Sequence, residues 1–129
     1  MIVLDTHVWV RWLVPAARPL PEATQRLLAQ AESVAVSAIS CWEVALLHRR
    51  GQLELTLPAQ EWFEAALQGS GIDCIAIDER IAATAAALTD IHRDPADRFI
   101  IATAIETGRR IVTLDATIHQ YPELLYRFA

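Results

Sequence analysis

Short, β-branched apolar runs alternate with longer segments of helical pattern along this chain, and two of those runs end on the same residue type. Ile2-Val3-Leu4 leads into Asp5, and Ile111-Val112-Thr113-Leu114 leads into Asp115. Runs this short and this apolar read as parallel strands buried on both faces. Val34-Ala35-Val36-Ser37 and Cys74-Ile75-Ala76-Ile77 read the same way, and residues 124–128 form a candidate last strand. Between them the pattern predicts helices over residues 6–14, 21–31, 40–50, 58–68, 78–88 and 94–107, and a short one over 117–120. Pro15, Gly51, Gly69, Gly71 and Gly108 supply the stops, because proline cannot continue a helix and glycine tolerates its left-handed C-terminal turn. Pro21 fits a first helical turn, Asp94 before Pro95 fits an N-cap, and Ser40 with Glu43 has the spacing of a capping box. Strands alternating with helices predict an α/β fold: a central parallel sheet of four to five strands with helices on both faces. At 129 residues, with no repeat or linker, residues 1–129 are expected to form a single domain.

Composition narrows the function. The chain is 53% hydrophobic and 21% charged, enough to bury a core and unlike a disordered tail. Its mean hydropathy of +0.26 fits a large core, or an apolar surface kept for a partner. The longest stretch free of charge, residues 33–42, is half the roughly 20 residues a membrane helix needs. Asp5 and Arg11 break up the apolar N-terminus, unlike a secretory signal, so a cytoplasmic protein is expected. Cys41 and Cys74 form no CxxC pair and are expected to be buried thiols. All eleven basic residues are arginine. The lack of lysine excludes P-loop NTPases, Schiff-base enzymes and phospho-acceptor receivers, which all use one. The net charge of -5 is unusual for a nucleic-acid binder, but carboxylates neutralised by divalent cations would account for part of it.

Four acids stand out. In an open parallel sheet, ligands bind beyond the carboxyl ends of the strands, and Asp5 and Asp115 both emerge there. Either one alone reads as a turn or cap residue; two on one edge point to a site. Glu43 shares a helix face with Ile39, Leu46 and Leu47, and Asp97 heads a stripe of Ile100, Ile101 and Ala104. An acid on an apolar face is costly unless paired or bound to a cation, although Glu43 would also serve a capping box with Ser40. Asp94 is assigned to capping and Asp97 to chemistry. Four converging carboxylates repel one another and suit a hard divalent cation, Mg²⁺ or Mn²⁺. Such a centre suits phosphodiester hydrolysis.

These residues resemble the PIN-domain family, specifically VapC-type toxin ribonucleases. The resemblance rests on Leu-Asp-Thr-His at 4–7, Ser-Ala-Ile-Ser-Cys-Trp-Glu at 37–43, His-Arg-Asp-Pro-Ala-Asp-Arg at 92–98 and Ile-Val-Thr-Leu-Asp at 111–115. It implies a PIN-like three-layer fold and a metal-dependent endoribonuclease. Asp5 and Asp97 would hold the principal Mg²⁺, with Glu43 and Asp115 completing the pocket. It also suggests hydroxyl contacts from Thr6, Ser37 and Thr113. Arg98 either contacts a phosphate of the substrate or anchors a carboxylate. The partners implied are an RNA substrate, a cognate VapB-like antitoxin and a second copy in a homodimer. His7, His48, His92 and His119 lack metal-binding spacing, and Arg49 and Arg50 read as helix C-terminal charges. Trp9, Trp12, Trp42 and Trp62 read as core or interface residues. Ala96 stands where many relatives carry a larger residue, a matter of packing. Two alternatives remain at this point: a non-catalytic PIN-like binding module, and a structure-specific DNA nuclease.

Overall fold

The computed structural model describes residues 1–14, 17–91 and 94–129. The helix stop expected at Pro15, and His92 and Arg93 of the third motif, lie outside those residues. Four strands form one parallel sheet: β1 (Ile2–Leu4), β2 (Val34–Ser37), β3 (Asp73–Ile75) and β4 (Arg110–Val112). Their order is β3-β2-β1-β4. The chain moves from β1 outward through β2 and β3, then crosses back to place β4 on the other side of β1. The order therefore reverses between β1 and β4, which opens a crevice at the carboxyl ends of those two strands.

Leu4 is level with Val36 and with Val112, so Asp5, Ser37 and Thr113 stand at one height. The backbone N–H of Asp5 still donates to Val112 O, at 3.0 Å. Alternation along β1 feeds two cores. Ile2 and Leu4 join Val34, Val36 and Val112 under Val8 and Trp9 of α1 (Thr6–Leu13), Leu28 of α2 (Glu22–Gln30), Val44 of α3 (Ala38–Arg49) and Trp62 of α4 (Ala59–Leu67). Val3 and Ile111 point the other way, beneath Ile100, Ile101 and Ala104 of α6 (Pro95–Thr107). The outer helix α5 (Glu79–Ala87) packs on α6 through Ile81, Ala85 and Ala102. Each large side chain buried this way is worth roughly 1.5–3 kcal/mol. Among the described residues no helix is long and apolar enough to cross a membrane.

The helix ends follow side-chain chemistry. Asp94 accepts from Ala96 N at 3.0 Å and Asp78 from Ile81 N at 2.9 Å, satisfying N–H groups that a helix start leaves open. Gly108 closes α6 at φ +66°, a backbone conformation that any side chain would strain.

Three expectations are corrected. The capping box at Ser40 does not form: Ser37 caps α3 by accepting from Ile39 N at 3.2 Å, and Ser40 lies inside the helix. The strand expected over 124–128 reduces to one bridge between Ile111 and Phe128. Pro122 starts a 3₁₀ turn, Pro122–Leu124, and Tyr126 takes φ +65°, which no strand residue adopts. The cysteines are not two buried thiols. Cys74 is exposed on the edge strand and Cys41 is half-buried, with 3.9 Å between their sulfurs. Burial and the adjacent Cys74 sulfur push the Cys41 thiol up to about 12.

Candidate active site

Asp5 is the residue around which the crevice is built. It is buried, 2% exposed, and both its oxygens are engaged. Oδ1 accepts from Thr6 N at 2.8 Å, at the start of α1. Oδ2 accepts from the Thr113 hydroxyl at 2.7 Å and lies 3.2 Å from His7 Nδ1. Thr113 Oγ1 in turn accepts from Asp115 N at 3.1 Å. Asp115 Oδ1 accepts from Thr117 N at 2.8 Å. The turn after β4 is thus folded around the carboxylate at the end of β1. This explains why β4 stops at Val112: the next groups bond to Asp5 and His7 instead of to a strand.

Glu43 arrives from α3. Its Oε1 accepts from the Thr6 hydroxyl at 2.5 Å, and Thr6 Oγ1 also lies 2.7 Å from Ser40 Oγ. Burial pushes the Glu43 carboxyl up, helped by the negative charges of Asp94 and Asp5 and opposed by the Thr6 hydrogen bond. Asp97 is buried in the first turn of α6. Asp5, Glu43, Asp97 and Asp115 line one open cleft of about 420 Å³, together with Thr6, His7, Arg11 and Asp94.

His7 ties the two strand ends together. Leu114 N donates to its Nε2 at 3.2 Å, so the proton of the neutral ring lies on Nδ1, toward Asp5. Burial lowers the ring's pKa, but the hydrogen bond to Asp5 and the charge of Asp5 outweigh it, and the net shift is upward. A proton on Nε2 would set two N–H groups against each other, which limits that rise.

Among the described residues, no group of three or more His, Cys, Asp or Glu side chains is gathered tightly enough to hold an ion as it stands. The donor set itself, oxygen throughout, fits a hard divalent cation and suits no soft metal.

The PIN domain family profile matches residues 2–124 of this sequence. The chain belongs to the PIN-domain family. Ribonuclease VapC22 of Mycobacterium tuberculosis is 36% identical over 124 residues, covering 94% of this chain and 93% of that protein. Two solved structures share the fold. A toxin–antitoxin complex from Klebsiella pneumoniae is 24% identical, with 95% and 94% of the two chains covered and a TM-score of 0.68. FitAcB from Neisseria gonorrhoeae is 25% identical, with 92% and 90% covered and a TM-score of 0.65.

Within this PIN domain the expected site residues divide. Asp5, Glu43, Asp97, Asp115 and Thr6 line the cleft, and Thr113 stands directly behind Asp5. Two other side chains, Ser37 and Arg98, are engaged elsewhere, and Arg98 also lies 4.0 Å from the Asp90 carboxylate, the carboxylate branch of its expectation. Ser37 is fully buried and occupied with capping α3. Arg98 points away from the cleft, donating to Ala85 O at 3.2 Å, Leu88 O at 2.8 Å and Thr89 O at 3.0 Å. It closes the carbonyl end of α5 and is not among the residues that line the cleft.

Three polar lining residues carry no such expectation from the sequence. Asp94 caps α6 and also faces the PIN cleft. Arg11 lines it while donating to Arg18 O and Pro19 O, at 2.9 and 2.5 Å. The sequence supports neither a metal-ligand nor a general-base role for His7. Its place two residues after a strand-terminal Asp was the available signal, because the first turn of α1 carries it back over that carboxylate.

Proposed function

We propose that this PIN domain is an endoribonuclease that hydrolyses RNA phosphodiester bonds with Mg²⁺ or Mn²⁺, and that it is the toxin of a toxin–antitoxin pair. The observation that carries this reading is the convergence of Asp5, Glu43, Asp97 and Asp115, from four separate segments, on one cleft at the point where the strand order reverses. The likeness to a ribonuclease across almost the whole chain supports RNA as the substrate.

Asp5 and Asp97 are the principal ligands, with Glu43 and Asp115 completing the set. A bound divalent cation would supply a hydroxide-like water and polarise a phosphoryl oxygen. The chain's own residues do the rest. Thr6 N, Thr113 and His7 hold Asp5 in one orientation, and Thr6 Oγ1 aims Glu43. With a net charge of -5, counterion release adds little to binding, so substrate choice is local and shape-based. The resemblance to VapC-type toxins points to a VapB-like antitoxin, and exposed Trp42, Leu125 and Tyr126 offer apolar surface for that partner or for a second copy.

The test is cleavage of end-labelled RNA, and of matched flap DNA, by wild type and by Asp5→Asn and Asp97→Asn. With Mg²⁺ or Mn²⁺ the wild type cuts the RNA. Each variant, still folded by circular dichroism, loses more than about 100-fold, the scale of several kcal/mol of lost charge stabilisation. A folded Asp97→Asn protein cleaving at the wild-type rate would rule the assignment out. So would the absence of any Mn²⁺-binding heat from the wild type.

A further inference from the structure

Cys41 and Cys74 are 33 positions apart in sequence, yet their sulfurs lie 3.9 Å apart. The fold accounts for this. Cys74 is level with Val36 of β2, and β2 runs directly into α3, whose first turn ends at Cys41. We propose that this pair is an oxidisable site that closes to an intrachain disulfide under peroxide, latching the edge strand β3 to the start of α3.

Geometry and exposure set the order of events. Cys74 is exposed and Cys41 half-buried, so peroxide meets Cys74 first. The Cys74 thiolate attacks one peroxide oxygen, the O–O bond breaks, and Cys74 sulfenic acid forms with release of hydroxide. The Cys41 sulfur then attacks the Cys74 sulfur, the S–O bond breaks, and the departing hydroxide takes up the Cys41 proton as water. Overall, two thiols and one hydrogen peroxide give one disulfide and two waters; each sulfur gives up one electron and the peroxide is reduced. A dithiol reductant reverses the closure. On closure the sulfurs move from 3.9 Å to bonding distance, about 2.05 Å.

The latch has a physical purpose. β3 has a single strand neighbour, and a short edge strand is the first part of a sheet to open. Neither cysteine lines the acidic cleft, so closure stiffens the scaffold without filling the site. The loop it ties also restricts the unfolded chain, which raises the melting temperature by roughly 5–10 °C.

The experiment treats the reduced full-length chain with stoichiometric hydrogen peroxide, blocks remaining thiols with N-ethylmaleimide and weighs the intact protein. The expected product is a monomer lighter by two hydrogen atoms, with neither thiol blocked, a linked peptide containing both cysteines, and full reversal by dithiothreitol. In Cys41→Ser, Cys74 should instead be trapped by dimedone as a sulfenic acid. Overoxidised Cys74 beside a blocked Cys41, disulfide-linked pairs of chains, or two blocked thiols would each overturn the proposal.

Discussion

Thr113 Oγ1 donates to Asp5 Oδ2 at 2.7 Å while accepting from Asp115 N at 3.1 Å. One hydroxyl therefore sets the position of two acids that follow different strands. Replacing Thr113 with valine keeps the shape and removes the hydroxyl, leaving a buried Asp5 oxygen short of a donor. Thr113→Val should destabilise the fold by about 1–3 kcal/mol, read from urea unfolding, and should slow RNA cleavage more than Thr113→Ser does.

Arg98 is the reverse case, a basic residue next to Asp97 in sequence and remote from it in task. Its guanidinium closes the last carbonyls of α5. Arg98→Met should cost about 2–3 kcal/mol, the scale of a lost charge-assisted hydrogen bond with its partners left unsatisfied. Cleavage per folded molecule, and its KM for RNA, should stay at the wild-type value. A raised KM with unchanged stability would instead place Arg98 on the substrate.

The acidic cleft should make stability depend on divalent ions. An ion that binds only the folded chain stabilises it by about 2.7 kcal/mol at a hundred times its Kd, a rise in melting temperature on the order of 10 °C for a domain this size. Scanning calorimetry with Mn²⁺ against EDTA should show the rise in wild type. Asp97→Asn should lose most of it.

Glu123 offers a pH dependence outside the cleft. Its carboxylate accepts from Thr89 N at 2.7 Å and from the Thr89 hydroxyl at 3.1 Å. Slight burial works to raise its pKa, but these bonds and the nearby Arg98 charge outweigh it, and the pKa sits below the ordinary 4.5. A depressed folded-state pKa means that the stabilisation is present above the unfolded value and is lost as the pH falls through the folded one. Glu123→Gln should therefore melt below wild type at pH 6, and the gap should narrow as the pH drops under 4.5. A gap that is constant with pH would show that the charge contributes nothing.

Much of this was legible from residue order because the signals are local. Ile2-Val3-Leu4 has one way to be buried on both faces, and Asp94-Pro95 and Gly108 mark helix ends through their own backbones. Asp5, Glu43, Asp97 and Asp115 could be grouped because strand ends share an edge and because acids on apolar faces need a reason. What escaped was set by partners distant in sequence. Ser40 looks like a cap until Ser37 takes the cap and Thr6 takes Ser40. Leu124 to Phe128 looks like a strand until Tyr126 turns out of extended geometry. Arg98 looks like a site residue until the end of α5 comes to meet it. The Cys41 and Cys74 contact depends on the register of β2 against β3, which spacing alone does not report.

The carboxylate at the end of β1 is held by a hydroxyl that lies beyond β4, so the first and last strands must both be in place before the cleft exists. During synthesis, the ribosome emits Asp5 early and Thr113 and Asp115 late. A nascent chain therefore carries Asp5 for most of its synthesis without the hydroxyl that orients it.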